Sequence, residues 1–352
     1  MKILSASFIN IDVNDGPGIN ERNYQKSLLD IEGMSKIDNN KIFKHTSRLL
    51  NYLNYLNQLR KKLRKDKYDY AMIRLSASGL ELLVLLFFDI KIHLRLLNIN
   101  KNLQKRSSTL KLVLAFYIKK ILIYLVKSKI KSCDTPSNFF LSDIKNEFKI
   151  DLHRVIVIPN ASEKIEIKDA KEKPIDIIYA GIIDKSRNLQ LLVEVIDIIK
   201  KRNMKVCLLG DGPYFDELNN EVIKNNAKDN IQLKGKVDYK HVKELYAKSK
   251  YGIDLSLFEK HEKNGIITYG SFSQKIPQYL MNNIKPIVWD IDDLKHIKDY
   301  AVLIKPNKRM DSLRLCLENL DLNNYSTKID KNIVSYNYWN NKRVDFIKSL
   351  KT

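Results

Sequence analysis

Short apolar runs alternate with longer amphipathic stretches along almost the whole sequence, and this alternation restricts the possible folds more than any other feature. The apolar runs lie near residues 2–8, 68–75, 90–96, 130–134, 154–158, 175–181, 204–213, 231–235, 251–257 and 285–289. Helical periodicity is predicted over 21–34, 46–65, 79–88, 109–126, 138–148, 188–201, 214–226, 241–248, 274–281 and 307–320. Such alternation predicts βαβ units with parallel sheets, and therefore an α/β fold.

A polar segment near the middle of the chain interrupts this alternation. It spans residues 162–173, is rich in Glu and Lys, and follows Pro159. Such a composition marks a linker, and 352 residues fit two domains of about 100–200 residues each. We predict an N-terminal domain over 1–160 and a C-terminal domain over 165–325, and we expect the aromatic-rich segment 330–352 to pack as a helix on the first domain.

Glycine-bearing turns follow several of the predicted strands. Their glycines are Gly16, Gly18, Gly181, Gly210, Gly212 and Gly235. Ligands of parallel sheets bind beyond the carboxyl ends of the strands, and glycine lets the backbone approach a ligand closely, so these turns are candidate binding elements. The spacing of Gly16 and Gly18 does not match the GxGxxG dinucleotide motif, and an ordinary strand–helix turn is the simpler explanation for these two.

Lys275 occupies an unusual position for a cation. It follows Ser271 and Ser273, either of which suits the N-cap of the helix predicted over 274–281. A positive charge is unfavourable at a helix N-terminus, unless an anion such as a diphosphate compensates both the lysine and the helix end. The position therefore favours an anion site, with a solvated surface lysine as the alternative.

The net charge of +21 points to an anionic partner such as a phosphorylated ligand, a membrane surface or a nucleic acid. A compositional bias toward Lys, Asn and Ile explains the charge equally well. The sequence contains no RNP motif, zinc finger or other recognisable nucleic-acid module. We therefore predict no nucleic-acid partner and keep a nucleic-acid binder only as a third alternative.

Basic residues are most concentrated between Asp89 and Asp134, where the sequence contains no acid. Over residues 107–131 lysines are interleaved with aromatic and aliphatic residues, and several lysines share one helical face. A basic, apolar helix of this kind can lie on an anionic membrane surface. A core helix with a solvated lysine edge is the alternative.

The N-terminus and the cysteines bear on the compartment. The N-terminal apolar run is broken by Asn10 and Asp12, which fits a first strand better than a signal peptide. The sequence has no run of about 18 uninterrupted apolar residues, and its three dispersed cysteines argue against a disulfide framework or a zinc site. We expect a cytoplasmic protein that is peripheral on the inner face of the cell membrane and uses no metal and no cofactor.

Motifs of the second half resemble those of the GT-B glycosyltransferases of glycosyltransferase family four, also called glycosyl transferases group 1. The segments that carry the resemblance are IPNAS (158–162), YAG (179–181), KSRNLQLLVEVI (185–196), LLGDGP (208–213) and SFSQKIPQYL (271–280), in the order that the family has them. The first half resembles the family in its topology, in its GPG segment and in CDTPSNFF (133–140).

The resemblance implies a fold and an activity. The fold would be two Rossmann-like domains whose parallel sheets face a central cleft. The activity would be transfer of a sugar from a nucleoside-diphosphate sugar to a glycan or lipid-linked acceptor, with retention at the anomeric carbon and without a metal ion. Because the family builds capsule, O-antigen and other surface glycans, the resemblance also implies surface polysaccharide biosynthesis.

The resemblance further assigns roles to individual residues. Arg187 falls where the family has its diphosphate-binding lysine, and Lys275 falls on the lysine of its PxKxxEY motif, so these two are the predicted catalytic cations. Gly16 and Gly18 would form a loop under the diphosphate. The other predicted donor-binding residues are Gly181, Gly210, Gly212, Gly270, Ser271 and Gln278.

Three positions depart from the family pattern. Ile182 stands where the family usually has an arginine, Gln278 replaces the second glutamate of its paired-glutamate motif, and Gly270 falls at the first. A neutral glutamine is a weaker acceptor for a ribose hydroxyl than a carboxylate. The alternative to an active enzyme is therefore a catalytically weak or inactive subunit that binds nucleotide sugars or glycans.

Arg74 and His93 end predicted strands of the first domain. Side chains at this edge of a parallel sheet can face a ligand, so both are candidates for contact with the acceptor. A structural role is the alternative for each.

Overall fold

The computed structural model describes residues 1–10, 16–38, 41–97, 110–163, 172–261, 267–271, 273–323, 325 and 329–350. The chain divides into two compact units. The first comprises Met1–Pro159 together with Tyr336–Thr352, and the second comprises Asn160–Ser335.

A parallel sheet of six strands forms the centre of the first unit. The strands are β1 (Ile3–Ser7), β2 (Met34–Lys36), β3 (Tyr70–Arg74), β4 (Lys91–Arg95), β5 (Ile130–Thr135) and β6 (Val155–Val157). Their order is β2-β1-β3-β4-β5-β6. The sheet confirms the predicted α/β class, although β2 was not predicted because its three residues form no apolar run.

Helices connect these strands. They are α1 (Gly16–Leu29), α2 (Arg48–Lys65), α3 (Glu81–Leu86), α4 (Leu110–Leu125) and α5 (Leu141–Phe148). The main difference from the sequence prediction is at α1, which begins at Gly16 and not at Glu21. Gly16 and Gly18 therefore lie in the first turn of a helix, and the prediction that they form a loop is corrected.

The second helix shows how the sequence encodes these elements. Ser47 caps its N-terminus by accepting a backbone N–H, and basic residues occupy its last turn, where they interact favourably with the helix dipole. Asn51, Tyr55, Leu59 and Leu63 recur at every fourth position and form its buried stripe.

The second unit contains a six-stranded parallel sheet of its own and a two-stranded antiparallel hairpin. The sheet strands are β7 (Ile175–Ala180), β8 (Val206–Leu209), β9 (Ile231–Leu233), β10 (Ser249–Asp254), β13 (Lys285–Trp289) and β14 (Val302–Ile304), and the hairpin is β11 (Phe258–His261) with β12 (Ile267–Gly270). The hairpin and β14 were not predicted; strand β11 of the hairpin, FEKH, is mostly polar and forms no apolar run.

The helices of the second unit are α6 (Gln190–Glu194), α7 (Ile196–Lys201), α8 (Phe215–Lys224), α9 (Tyr239–Ala247), α10 (Lys275–Met281) and α11 (Arg309–Asn319). The sequence predicts one helix over 188–201, but the structure breaks it at Val195, whose backbone is not helical (φ −113°, ψ 22°). Both faces of the sheet are covered: Ile177 and Tyr179 of β7 belong to one buried cluster, and Ile178 between them belongs to another. This is the burial expected of a parallel sheet.

The last helix, α12 (Tyr336–Ser349), belongs to the first unit. Its Asn340 donates to the backbone carbonyl of Tyr24 in α1 (3.2 Å) and to the hydroxyl of Ser27 (2.5 Å). Its Arg343 is buried and donates from Nε to Asp134 on β5 (2.5 Å).

Arg343 and Asp134 are part of a buried charge network in the first unit. Arg95 lies 3.9 Å from Asp134 and 3.8 Å from the buried carboxylate of Glu21, and its guanidinium stacks 3.5 Å from the ring centroid of Tyr24. Although burial on its own raises the pKa of Asp134, the charge of Arg343 and a hydrogen bond from His93 hold that pKa well below its ordinary value. The network thus consists of charges that are each compensated inside the fold.

None of the helices in the described part of the chain is both long enough and apolar enough to cross a membrane.

The buried pair of Arg343 and Asp134 predicts that replacing Arg343 destabilises the first unit much more than replacing the half-exposed Lys120. Removing one partner of a buried ion pair typically destabilises a fold by about 3–5 kcal/mol, so we expect Arg343→Ala to lower the free energy of unfolding by that order. Lys120→Ala removes a partner of the half-exposed Glu147 (2.7 Å) and should change stability little. Urea titration followed by circular dichroism measures both, and equal effects would contradict the assignment.

Candidate functional site

The strand order of the second unit predicts a ligand site at the carboxyl ends of its central strands; we call this end of the sheet the ligand edge. The order β14-β13-β10-β7-β8-β9 is the doubly wound pattern in which the direction of winding reverses between β7 and β10. Ligands of such sheets bind in the crevice outside the carboxyl ends of the strands at this switch point. The residues at the ends of β7, β8 and β10 are therefore those expected to contact a ligand.

The turns after β7 and β8 come into direct backbone contact at this edge. Gly181 donates its N–H to the carbonyl of Leu209 (2.9 Å), and Ile183 donates to the carbonyl of Asp211 (3.0 Å). A Cβ atom on Gly210 would lie 1.8 Å from the carbonyl oxygen of Gly181. Gly210 also has a positive φ of 128°, so both space and conformation require glycine there.

Lys275 is brought to this edge by the packing of α10 on β10. The ring of Tyr279, one turn further along α10, lies where a side chain of Gly252 would be: a Cβ on Gly252 would meet it at 2.5 Å. Because residues four apart share a helix face, Lys275 faces the same strand. Its Nζ lies 3.6 Å from Oδ1 of Asp254, the last residue of β10, and 5.0 Å from the ring centroid of Tyr179 on β7.

Arg187 reaches the same strand end from the turn after β7. Asp184 accepts the backbone N–H of Ser186 at 2.8 Å and so caps the 3-10 turn Lys185–Arg187. The guanidinium of Arg187 donates to the hydroxyl of Ser256 (3.3 Å) and lies 3.8 Å from the carboxylate of Asp184. The two cations predicted from the sequence therefore meet around residues 254–256, within one unit.

The protonation of the site reflects burial and these charge pairs. Burial lowers the pKa of Lys275, the charge of Asp254 raises it, and the charge of Arg187 lowers it, with a net shift below the ordinary value. Burial alone raises the pKa of Asp254, but the charge of Lys275 and hydrogen bonds from Ser273 and Ser256 bring it below its ordinary value. The carboxylate of Asp254 is thus ionised beside a lysine that burial makes less basic.

The remaining predicted donor-site residues occupy this region in different ways. Gly212 follows Gly210 in the turn after β8, and a Cβ there would lie 2.4 Å from the carbonyl oxygen of Ile183. Gly270 ends β12, and Ser271 is buried and donates its N–H to Asp293 (3.2 Å). Gln278 lies half-buried on α10.

In the first unit the structure corrects one of the predicted acceptor residues. His93 is completely buried, with Nε2 2.9 Å from Asp134 and Nδ1 2.7 Å from the hydroxyl of Ser132. Burial lowers its pKa, so the neutral ring donates to Asp134 and has no surface that a ligand could contact. Its role is structural.

Arg74 differs from His93 because its side chain is partly exposed at the end of β3. It forms an ion pair with Glu21 of α1, and 24% of its side chain remains accessible. Contact between Arg74 and an acceptor stays a prediction, as does contact between a ligand and Gly16 or Gly18 at the start of α1.

Asp254, Asp184 and Ser256 are the site residues that sequence analysis missed. The available signal was a lone acid closing the apolar run YGID at residues 251–254. A charged residue at the end of an otherwise buried strand lies at the ligand edge of the sheet, but its pairing with Lys275 depends on the tertiary packing of α10.

The close approach of the two turns predicts that Gly210 does not tolerate a side chain. Gly210→Ala would force the turn after β8 away from Gly181, so we expect loss of ligand binding at this edge together with reduced stability. Gly79→Ala is the control, since Gly79 of the first unit also has a positive φ (68°) but a Cβ there would lie closest to the flexible side chain of Lys119, at 3.1 Å. That replacement should cost only about 1–2 kcal/mol of conformational strain.

Thermal melts with and without nucleoside diphosphate compare the two glycine variants. Ligand-induced stabilisation should disappear in Gly210→Ala and persist in Gly79→Ala. Retention of the ligand response in Gly210→Ala would show that the turn is not part of the site.

Residues 160–278 match the family model of the glycosyl transferases group 1. This segment contains Arg187, Gly210, Asp254, Lys275 and Gln278. No protein with curated annotation matches the sequence significantly.

Solved glycosyltransferase structures share the fold at low sequence identity. HepE of Anabaena, crystallised with UDP, superimposes with a TM-score of 0.67 at 11% identity, covering 99% of this chain and 100% of that one. WaaG, a glycosyltransferase involved in lipopolysaccharide biosynthesis, has a TM-score of 0.58 at 9% identity, covering 99% and 95%. TarM of S. aureus, in complex with fondaparinux, α-GlcNAc-glycerol and UDP, has a TM-score of 0.51 at 15% identity, covering 84% of this chain.

The chain spans 56% of the length of TarM, whereas its extent matches that of HepE and WaaG. At identities this low, the superpositions establish the fold alone. The two six-stranded parallel sheets and these superpositions show that the chain has the GT-B fold, and residues 160–278, which hold the paired cations, match the family model of the glycosyl transferases group 1.

Proposed function

We propose that the protein transfers a sugar from a nucleoside-diphosphate sugar to a glycan or lipid-linked acceptor in surface polysaccharide biosynthesis, such as capsule or O-antigen. The observation that carries the proposal is the convergence of Lys275 and Arg187 at the switch point of the second sheet, inside the segment that matches the family model. Assignment to glycosyltransferase family four is part of the same proposal.

The chemistry of the reaction requires cations at this place. When the bond from the anomeric carbon to the phosphate breaks, negative charge accumulates on the departing nucleoside diphosphate. Pre-placed N–H donors stabilise that charge more in the transition state than in the ground state, which accelerates the reaction. Lys275 and Arg187 supply such donors, and the planar guanidinium suits two phosphate oxygens at once.

The pairs that these cations make inside the protein leave their donors available. Nζ of Lys275 is 3.6 Å from Asp254 and 3.5 Å from the hydroxyl of Ser273, both at or beyond the limit of a good hydrogen bond. Arg187 keeps 26% of its side chain accessible, and its hydrogen bond to Ser256 is long at 3.3 Å. A phosphate oxygen would satisfy N–H groups that the fold leaves without close acceptors.

Ligand types seen with structural relatives agree with the proposed substrates. HepE binds UDP, and TarM binds UDP together with α-GlcNAc-glycerol. We extend to this chain the nucleoside diphosphate as leaving group, and the family resemblance adds retention at the anomeric carbon and independence from metal ions.

Loss of the ammonium of Lys275 should reduce transfer strongly. Removal of one charge-stabilising donor typically lowers kcat by about 10²–10³, and we expect Lys275→Ala to fall in that range. Lys250→Ala is the matched control, because Lys250 pairs with Asp176 (2.8 Å) at the opposite end of the same two strands. Release of nucleoside diphosphate from a panel of sugar nucleotides measures both.

Wild-type turnover with unchanged kcat in Lys275→Ala would remove this residue from the reaction. If the wild type binds nucleoside-diphosphate sugars but transfers none to any glycan or lipid-linked acceptor, the chain is an inactive binding subunit instead. Proton NMR of the product and assays in the presence of EDTA test retention and metal independence.

The proposal includes a site of action on the inner face of the cell membrane. Leu114, Tyr117, Ile121, Tyr124 and Leu125 are all exposed on α4, and their spacing of three and four residues places them on one face of the helix. We call these five residues the apolar face of α4.

Neighbouring residues suit the same surface. Phe87, which follows α3, is 82% exposed, and Lys127 is exposed just beyond the end of α4. Aromatic and aliphatic residues flanked by lysine are typical of helices that lie in the interface of anionic lipid. Residues 107–109 of the segment predicted to bind membrane lie outside the described residues.

This membrane proposal predicts that a charge on the apolar face of α4 weakens binding to vesicles. Ile121 is 59% exposed on that face, and we expect Ile121→Asp to reduce co-sedimentation with phosphatidylglycerol vesicles. Leu53→Asp on α2 is the control, because Leu53 is similarly exposed (53%) in the same unit but on a different helix. Equal binding by both variants, or wild-type binding that is independent of anionic lipid, would contradict the proposal.

A further inference from the structure

Asp254 is a buried acid at the centre of the candidate site, and neither the sequence motifs nor the family match assigns it a role. Its side chain is completely inaccessible, and Oδ1 lies 3.6 Å from Nζ of Lys275. The same carboxylate accepts the backbone N–H of Ser256 (3.1 Å). Its second oxygen, Oδ2, is buried and has no hydrogen-bond partner among the described residues.

This arrangement is looser than that of a purely structural ion pair. An ionised carboxylate loses its hydration on burial, and a single ion pair repays that loss only when its geometry is close and its remaining lone pairs are satisfied. A separation of 3.6 Å and an unpartnered oxygen meet neither condition. Lys275 and the hydrogen bonds from Ser256 and Ser273 keep Asp254 ionised, but a buried acid with a long ion pair at the ligand end of a strand is typical of a functional position.

Asp254 also connects the two cations of the site through one strand end. Ser256, whose N–H binds Asp254, accepts a hydrogen bond from Arg187 through its hydroxyl. The backbone carbonyl between them, that of Leu255, accepts from the side chain of Asn188 at 2.8 Å. The end of β10 therefore holds Lys275 by charge and the turn that carries Arg187 by hydrogen bonds.

We propose that Asp254 is a positioning residue for sugar transfer, which holds the Lys275 ammonium in place and in its cationic form while Lys275 contacts the leaving diphosphate. The inference rests on the function proposed above, because it needs Lys275 to act on a leaving group. Asp254 itself need not contact the substrate.

The groups around Lys275 determine how its charge responds to pH. Asp254 from β10 and Asp184 from the turn after β7 raise its pKa, whereas burial and Arg187 lower it, and the Tyr179 ring packs against it. Removing the Asp254 charge leaves burial and Arg187 as the stronger influences, so the pKa of Lys275 falls. The ammonium would then deprotonate at a lower pH, and activity on the alkaline side would be lost earlier.

The test compares Asp254→Asn with Asp176→Asn. Asp176 pairs with Lys250 on the same two strands at the opposite edge of the sheet, so its replacement also removes a buried carboxylate beside a lysine. We expect the alkaline limb of kcat to move to lower pH in Asp254→Asn and to stay in place in Asp176→Asn. An alkaline limb at the wild-type position in Asp254→Asn would overturn the proposal.

A second measurement needs no activity. Labelling of Lys275 by acetic anhydride, quantified by mass spectrometry as a function of pH, reports the protonation of its amine in the ligand-free protein. The labelling midpoint should move to lower pH in Asp254→Asn and return toward the wild type in Asp254→Glu, which restores the charge. Identical midpoints in wild type and Asp254→Asn would overturn the proposal, and Asp254→Ser replaces Asp254→Asn in both measurements if the latter does not fold.

The two proposals fail in different ways. A wild-type protein that neither binds nor uses nucleotide sugars refutes the proposed function, even if Asp254 controls the protonation of Lys275. An active wild type whose kcat profile and labelling midpoint do not respond to Asp254 refutes only the inference about Asp254.

Discussion

The side-by-side pairing of β7 and β10 is the constraint on which the site in the second unit depends. Tyr251 pairs with Ile177 and Gly252 with Ile178, so the two strands run in register toward the same edge. Their following segments leave in opposite directions because the winding of the sheet reverses there. The turn with Arg187 and the helix with Lys275 therefore approach one point from two sides, although 88 positions separate the two residues in the sequence.

The charges at this point are locally balanced. Lys275 faces Asp254, and Arg187 faces Asp184, so two cations and two anions occupy the edge. The chain as a whole carries +21, which means that the excess positive charge lies elsewhere on the molecule. An anion at this place would meet directed N–H groups and no large local excess of positive charge among the described residues.

Much of the fold follows from local sequence patterns. The apolar run 175–181 was predicted close to its observed bounds, because burial on both sheet faces demands a continuous apolar stretch. Helix α2 was predicted equally well, because its buried residues recur at every fourth position. Strands β6 and β9 have only three residues but lie within longer predicted runs, whereas the three-residue strands β2 and β14 were missed. They form by adding to the edge of an existing sheet, which is a tertiary effect.

The candidate site was also predictable only in part. Motif spacing identified Lys275 and Arg187, and the glycine turn around Gly210 was visible as a sequence signal. The carboxylates that hold the cations were not, since their partners are fixed by the packing of Tyr279 on Gly252 and by the cap at Asp184. His93 was misassigned for a related reason: it lies in the middle of β4 and not at its end, and its neutral imidazole is buried against Asp134.

The pairing of Arg343 with Asp134 bears on the order in which the protein becomes native. The two residues are 209 positions apart, and the whole second unit lies between them in the chain. During synthesis, all six strands of the first sheet are made before α12, the helix that carries Arg343. Asp134 gains its shortest charged contact only after residues 336–349 have been made, so the first unit completes its interior after the second unit has been synthesised.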